Sequence, residues 1–329
     1  MKRTAAVLTF ALALPAGAFD FFPAPPVAFS QPVDCVVGLD CFIQKYVDHD
    51  MGKGWKDFRC GHMSSNGHDG TDFAIPDKFA MEDGVAVVAA AAGKVIWTRD
   101  GVSDIGFFPP PGMDCGNGMI LDHGNGWQTQ YCHMRLFSVN LQPGDEVQAG
   151  DPLGFVGQSG RAEFPHLHFT IRHHDKLVDP FFPKSGTCLR LQPDLWAEDI
   201  PLKTFGLVSI GIADAVPKFA HLQRGKASPD LPTSAPALVV WANYYGPKRG
   251  DEVLLGLTGP NGVIIAERYV VDRTQARAFR AIGRKLRATG WPAGWYGGAA
   301  ILLRDGQVVD RKQMSILVHA DPAATTPPP

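Results

Sequence analysis

Short runs of β-forming residues, each ended by glycine or an Asp/Asn turn, dominate the chain from His68 to about Pro183. Such runs are typical of strands, and Gly124-Asn125-Gly126 between two of them predicts a hairpin. The clearest predicted strands are Val85–Ala89, Gly93–Thr98, Gly118–Asp122, Trp127–His133 and His166–Arg172. This part of the chain is therefore predicted to be all-β, with mainly antiparallel strands.

A second β-rich region follows at residues 205–320, after a linker at 189–204. Regular short strands joined by turns such as Asp305-Gly306 predict a β-sandwich, and we expect it to be immunoglobulin-like. Its predicted strands are Leu238–Tyr244, Glu252–Leu257, Val263–Val271 and Ala299–Leu303. The last residues, 321–329, are rich in Pro, Thr and Ala and are predicted to be a disordered tail.

The N-terminus has the three parts of an export signal. Lys2 and Arg3 form a positive start, Thr4–Leu14 is apolar, and Ala16-Gly17-Ala18 fits the small-residue cleavage rule. We therefore predict a signal peptide at residues 1–18 and a mature protein that is periplasmic or secreted, without an integral membrane segment. The alternative is a buried N-terminal helix.

Residues 19–59 are predicted to be an N-terminal extension, with a short helix near Phe42–Tyr46. The domain that contains the first β-rich region is placed at residues 60–188. The formal net charge is -2, so the chain has no broad basic field of the kind that binds nucleic acid, and no nucleic-acid partner is expected.

The chain has six cysteines, an even number that predicts disulfides in an exported protein. A zinc-thiolate site is disfavoured because no Cys-x-x-Cys pair is present. Residue numbers of antiparallel partners have a constant sum, so a hairpin centred between 123 and 125 places Cys115 opposite Cys132 or within a residue or two of it. We predict a Cys115–Cys132 disulfide rather than two free thiols. The other predicted pairs are Cys35–Cys41 and Cys60–Cys188.

Histidines are concentrated in three short segments of the first β-rich domain. His68 and Asp72 form a His-x-x-x-Asp pair, His133 follows Tyr131-Cys132, and His166-Leu167-His168 lies in a predicted strand. Side chains at i and i+2 of a strand point to the same face, so His166 and His168 are expected to project together, with Leu167 on the core side. Two neighbouring imidazoles suit one metal ligand and one catalytic neighbour. A His and an Asp from elsewhere can then complete a three-ligand zinc site with one open position.

The order and surroundings of these segments resemble the lysostaphin-like, or LytM-type, zinc endopeptidases. The resemblance covers roughly residues 60–183. The motifs that carry it are His68-Asp-Gly-Thr-Asp72-Phe-Ala, Val87-Val-Ala-Ala-Ala-Ala-Gly-Lys-Val95, Gly118-Met-Ile-Leu-Asp-His-Gly-Asn-Gly126, Tyr131-Cys-His133-Met, Pro143-Gly-Asp-Glu-Val147, Gly154-Phe-Val-Gly-Gln-Ser-Gly160 and Pro165-His-Leu-His-Phe169. It implies a lysostaphin-like β-sheet peptidase domain in front of the β-sandwich.

The resemblance also implies roles for individual residues. It makes His68, Asp72 and His168 the ligands of one Zn²⁺, and His133 and His166 the catalytic histidines that do not bind it. A thermolysin-type glutamate base is not available, because the chain has no His-Glu-x-x-His. His133 or His166 is therefore expected to position or deprotonate the water and to stabilise the developing oxyanion.

The remaining histidines and Ser159 are interpreted as structural or solvent-facing. His62 is expected on a surface loop, His123 in a structural hydrogen bond, and His173 and His174 in solvent. Ser159 lies in Gly157-Gln158-Ser159-Gly160, which lacks the pattern of a nucleophile elbow.

The resemblance implies an endopeptidase that cuts peptide crosslinks of bacterial peptidoglycan. One alternative is a non-catalytic regulator of cell-wall amidases, which the five retained positions disfavour. Another is a zinc peptidase acting on protein substrates, which the sequence leaves open. The sequence does not identify any protein regulators, and it assigns no ligand to the second domain.

Overall fold

The structure is a computed structural model that describes residues 28–105, 109–182, 194–225, 231–287 and 290–320. The predicted signal peptide, the tail, Cys188 and part of the linker lie outside these residues. No helix in the described ranges is long and apolar enough to cross a lipid bilayer.

The first region is built on one large, twisted, antiparallel sheet. Its path runs β1-β2-β9-β6-β5-β4-β7, with β10 paired to β9, while β3 and β8 pair separately. A short helix, α1, precedes β3. The elements are β1 Phe42–Lys45, β2 Thr71–Ala74, α1 Lys78–Asp83, β3 Ala86–Val88, β4 Gly93–Arg99, β5 Asn117–Asp122, β6 Trp127–Met134, β7 Glu146–Val147, β8 Pro152–Phe155, β9 His166–His173 and β10 Lys176–Val178.

The predicted hairpin is confirmed and joins β5 to β6. Gly124, Asn125 and Gly126 all have positive φ, the conformation that glycine and asparagine tolerate best in tight turns. Asp122 lies opposite Gln128, which centres the hairpin on Asn125. The turn thus sets the register of β6, the strand that contains His133.

The predicted helix near Phe42–Tyr46 is wrong, because residues 42–45 form strand β1. This strand pairs with β2 at the edge of the large sheet, with Phe42 opposite Ala74. Phe42 and Ile43 are fully buried in the core, and this burial outweighs any local preference for helix. Residues of the predicted N-terminal extension therefore complete the sheet that carries the histidines.

The second region consists of two mainly antiparallel sheets that share one hydrophobic core, and only the short β12 pairs in parallel, with β18, among the described strands. The smaller sheet has the order β11-β13-β16, and the larger has β12-β18-β17-β14-β15. Ile212 and Val240 from the smaller sheet and Leu255 and Leu302 from the larger belong to this core. The elements are β11 Gly206–Ala213, α2 Phe219–Arg224, β12 Leu231–Pro232, β13 Ala237–Tyr245, β14 Glu252–Gly259, β15 Gly262–Val270, β16 Arg277–Lys285, β17 Gly294–Arg304 and β18 Gln307–His319.

The two regions meet next to the edge strand β1. Phe42 stacks on Tyr245 of the sandwich with ring centroids 4.4 Å apart. Gln44 is buried and donates a hydrogen bond from Nε2 to the Ala276 carbonyl. Tyr245 also belongs to the hydrophobic core of the first region. The sandwich thus packs against the same strand that completes the histidine-bearing sheet.

Candidate metal centre and catalytic cleft

The register of the large sheet brings the predicted site residues into neighbouring rows. His168 on β9 lies opposite Asp72 on β2, and Cys132 on β6 lies opposite His168. One row further, His166 lies opposite Ala74. Leu167 is fully buried in the core, so the prediction that His166 and His168 share the other face is confirmed.

The side chains of His68, Asp72 and His168 converge on one point. One nitrogen each of His68 and His168 and one oxygen of Asp72 lie within 4.8 Å of one another. The Asp72 Oδ1 atom is 3.0 Å from His68 Nε2 and 2.9 Å from His168 Nδ1. Two imidazoles and a carboxylate are a donor set that Zn²⁺ prefers, and three protein ligands leave a position open.

The hydrogen bond at the far side of the His68 ring tests whether a cation fits here. His68 Nδ1 lies 2.8 Å from the Tyr46 carbonyl, which can only accept, so Nδ1 carries the proton. In a neutral ring Nε2 then has a lone pair, and it faces the Asp72 carboxylate at 3.0 Å. Two acceptors at this distance need a cation between them, and either a proton or a metal ion can supply it.

His168 faces a carboxylate at each ring nitrogen. Its Nδ1 contacts Asp72, and its Nε2 lies 3.2 Å from Asp69 Oδ1. Burial opposes protonation, but hydrogen bonds to Asp69 and Asp72 outweigh it and raise the pKa of His168 to about 9 in the metal-free protein. The proton on Nδ1 must therefore leave before this atom can bind a metal ion.

Asp72 is a charged group in a buried position, with 2% of its surface exposed. Burial alone would raise its pKa. The neighbouring His68 and His166 rings, together with hydrogen bonds from His168 and His68, instead hold the pKa of Asp72 well below its usual range. The carboxylate is therefore ionised and available as a ligand at neutral pH.

His133 has a left-handed backbone, with φ 64°, which is uncommon for any residue other than glycine. The β5–β6 ladder is irregular here, between Asn117 and Met119, and the His133 amide donates to the Cys115 carbonyl. An irregularity of this kind re-aims a side chain, and such strain is found most often at functional sites.

The ring of His133 is buried and neutral. Its Nδ1 lies 2.8 Å from the Ser159 carbonyl, so Nδ1 is the donor and Nε2 keeps the lone pair. Burial, followed by the nearby His166 and His168 rings, holds the pKa of His133 well below its usual value.

His166 repeats this arrangement. Its Nδ1 donates to the Phe164 carbonyl at 2.8 Å, and burial is the main cause of its lowered pKa. The His133 and His166 ring centroids are 4.7 Å apart, and His166 Nε2 is 3.6 Å from Asp72 Oδ1. Two unprotonated nitrogens thus lie beside the carboxylate, in a cleft of about 800 Å³.

The predicted Cys115–Cys132 disulfide is confirmed, with the Cα atoms 4.8 Å apart. The two cysteines are not a directly opposed pair of the β5–β6 ladder. Cys115 lies before β5 and reaches Cys132 through the turn at Gly116. Cys35–Cys41 is also confirmed. The predicted Cys60–Cys188 pair includes Cys188, which is outside the described residues.

The other histidines lie apart from the centre. His123 makes the predicted structural hydrogen bonds, to the Ala92 carbonyl and to Thr129. His174 is exposed as predicted, but His173 is buried and stacks on Trp127 at 4.3 Å, so its prediction is wrong. The prediction for His62 is also incorrect in part, because the residue is half-buried.

The sequence patterns did not predict four groups that position the histidines. They are the carbonyls of Tyr46, Ser159 and Phe164, and the carboxylate of Asp69. Backbone carbonyls leave no trace in residue type. Asp69 had a signal, because it adjoins His68 in the first motif.

A model described as peptidase family M23 matches residues 66–180. Among curated relatives, the DD-carboxypeptidase/endopeptidase Mpg of Neisseria meningitidis serogroup B is 34% identical over 114 residues, which are 34% of this chain and 22% of the relative. The peptidoglycan DD-endopeptidase ShyA of Vibrio cholerae is 32% identical over 104 residues, 32% of this chain and 20% of the relative. The chain therefore spans about a fifth of the length of these relatives.

The chain is also similar to solved structures. A zinc-containing peptidase from Vibrio cholerae has 25% sequence identity and a TM-score of 0.33, over 46% of this chain and 39% of that one. The family match includes all five predicted site residues, from His68 to His168. The resemblance to the lysostaphin-like peptidases is thus confirmed, and residues 66–180 form a domain of peptidase family M23.

Proposed function

We propose that the chain is an exported zinc metalloendopeptidase that hydrolyses peptide crosslinks of bacterial peptidoglycan. The observation that supports this most is the buried Asp72 carboxylate, which faces nitrogens of His68 and His168 with no permanently charged side chain between them. Two further neutral imidazoles lie beside it.

In this proposal His68 Nε2, Asp72 Oδ1 and His168 Nδ1 bind the metal ion. Zn²⁺, when bound there, would act as a Lewis acid on the scissile carbonyl and lower the pKa of water. The Tyr46 carbonyl keeps the proton of His68 on Nδ1, and Asp69 does the same for His168 at Nε2. Such partners fix the ring orientation and raise the basicity of the ligating nitrogen.

His133 and His166 move protons in the proposed reaction. Each has its Nδ1 proton committed to a backbone carbonyl, so only Nε2 can accept a proton from the attacking water. Their lowered pKa values keep both rings unprotonated at neutral pH before the reaction. Once one Nε2 has taken the proton, the imidazolium stabilises the oxyanion and can donate to the leaving amine.

The substrate class rests on the relatives, two of which have names that describe DD-endopeptidase activity. Export rests on the predicted signal peptide, residues 1–18. The proposed domains are the N-terminal extension at 19–59, the peptidase domain at 60–188 and the sandwich at 205–320.

Digestion of purified peptidoglycan by the mature protein tests the proposal. Mass spectrometry of the fragments should show cleaved crosslink peptides, which disappear when a chelator is added and return with Zn²⁺. Intact peptidoglycan with the zinc-loaded protein, together with stimulation of an added amidase, would indicate a regulator instead. A protein substrate cut in place of peptidoglycan would indicate the other alternative.

A further inference from the structure

Lys45 is a cationic side chain next to the proposed metal centre, and no role has yet been given to it. It lies at the end of β1, opposite Asp72, in the row that continues through His168 to Cys132. Residues directly opposite in an antiparallel pair have Cβ atoms about 4.5–5.5 Å apart and project to the same face. Lys45 therefore stands on the face that carries the ligands, one strand beyond Asp72.

A β-bulge puts Lys45 in this position. Ile43 pairs with Phe73, but the register then shifts, so Lys45 rather than Gln44 lies opposite Asp72. Gln44, the extra residue, is buried and binds the Ala276 carbonyl of the sandwich. The contact between the two regions thus secures the bulge that aims Lys45 into the cleft.

Lys45 differs from the other cations that line the cleft. Arg161 forms an ion pair with Asp114 at 2.8 Å, and Arg172 pairs with Asp69 at 3.2 Å. The side chain of Lys45 is partly exposed, lines the cleft, and has no hydrogen bond or ion pair with any of the described residues. Its ammonium group has its three donors free for a ligand.

We propose that Lys45 binds a free carboxylate on the substrate residue that adjoins the scissile bond, and so makes the cleft specific for anionic rather than neutral crosslinks. An extended peptide advances about 3.3–3.6 Å per residue, so a cation one strand from Asp72 is one to two residues from the reacting carbonyl. The inference rests on the proposed function and assigns its substrate chemistry. The exposed acid Glu163, elsewhere on the cleft wall, does not pair with Lys45.

The test uses two synthetic crosslinked peptides that are identical except for a carboxamide in place of that carboxylate. Wild-type protein should cleave the carboxylate peptide with a KM roughly tenfold lower, the worth of one charge-assisted hydrogen bond. Lys45→Met should remove this difference, and Lys45→Arg should retain most of it. Lys176→Met, on the exposed strand β10, removes an equal charge and should change neither KM.

Binding of both peptides to the chelated protein, measured by calorimetry, separates the inference from the proposed function. If wild-type protein prefers the carboxylate peptide and Lys45→Met does not, Lys45 has the proposed role even when neither peptide is cut. Equal binding of the two peptides by wild-type protein would overturn the inference. An equal loss of kcat on both peptides in Lys45→Met, with the KM ratio kept, would also overturn it, because Lys45 would then serve every substrate alike.

Discussion

Asp72 in the peptidase domain and Asp251 in the sandwich are both buried carboxylates, with 2% and 4% of their surfaces exposed. Asp251 has a permanent counter-ion. Arg304 donates to both of its oxygens, from Nε at 2.9 Å and Nη2 at 2.6 Å. The same guanidinium also binds Thr204 and the Gly246 carbonyl, so the pair is complete without any added group.

Asp72 is surrounded by imidazoles, whose charge depends on protons or metal ions from solution. His68 donates its Nδ1 proton in a hydrogen bond to the Tyr46 carbonyl, so the lone pair on Nε2 of the neutral ring faces the carboxylate. A buried charge is costly unless it is paired. A carboxylate neutralised by the chain itself thus maintains the fold, whereas one that needs an external cation marks a binding site.

Replacing Asp72 by Ala should have the largest effect. Structural zinc sites gain about 10–16 kcal/mol from four ligands, so one of them is worth roughly a hundredfold to a thousandfold in affinity. We expect Asp72→Ala to lose zinc and all turnover but to remain folded, as measured by metal analysis and circular dichroism. Asp251→Ala is the matched control and should retain its zinc. Full zinc occupancy in Asp72→Ala would refute the ligand assignment.

His133→Ala should separate catalysis from metal binding within the same centre. Loss of a general base lowers turnover by about 10²–10⁴-fold. His133 contributes no atom to the proposed ligand set, so zinc content should stay near that of wild type. Single-turnover kinetics and metal analysis on the same sample measure both. If the His133→Ala protein contained no zinc, His133 would be a metal ligand, and its assignment as a catalytic residue would be wrong.

Arg304→Met tests the other side of the comparison. It leaves Asp251 buried without its cation, which should lower the free energy of unfolding by about 3 kcal/mol. Arg311→Met removes an exposed arginine from the neighbouring strand and should be nearly neutral. Denaturant titration measures both variants, and the zinc content should not change in either. Equal stability of the two would mean that the Asp251–Arg304 pair does not maintain the sandwich.

Much of the proposed centre could be predicted from the sequence, because its information is local. His166 and His168 are two residues apart in a strand, so their common face follows from the period of β structure. The hairpin register follows from Gly124-Asn125-Gly126, and it led to the confirmed disulfide. His68 and Asp72 were placed by the motif that resembles the lysostaphin-like peptidases.

The rest depends on pairing between distant segments. Residues 42–45 were predicted as helix, and they form a strand because β2 and the sandwich bury both of their faces. Lys45 and the Tyr46 carbonyl therefore had no visible connection with the centre. The left-handed backbone of His133 could not be predicted either, because it arises from the irregular pairing of β5 with β6.

The dependence of zinc affinity on pH should show that the Asp72 cluster exchanges a proton for the metal. The pKa of His168 is raised to about 9, so below that pH the metal-free protein holds a proton that zinc must displace. Zinc affinity should therefore fall about tenfold for each unit that the pH decreases from roughly 8 to 6. Competition with a chromophoric chelator measures the slope. Asp69→Asn removes one carboxylate partner of His168 and should flatten it, whereas a flat profile in wild type would show that no proton is exchanged.

The smallest expected effect lies where the two regions meet, at Arg277 on β16. Its guanidinium is 5.7 Å from the ring centroids of Phe42 and Phe164, and Nε and Nη2 have no hydrogen-bond partner among the described residues. Burial lowers the pKa of Arg277 to about 10. Phe164 in turn holds His166, through its carbonyl at 2.8 Å and by ring contact at 4.6 Å.

Arg277→Met should therefore act in opposite directions on stability and on catalysis. Removing a buried, incompletely paired charge is neutral or stabilising, so the melting temperature should stay the same or rise. The cation–π contact with Phe164 is worth about 0.5–2 kcal/mol, and its loss should let His166 move and lower kcat a few-fold with KM unchanged. Arg277→Lys should restore part of kcat because it keeps the cation over the ring. A kcat that falls only in parallel with the melting temperature would show that Arg277 supports the fold and does not position His166.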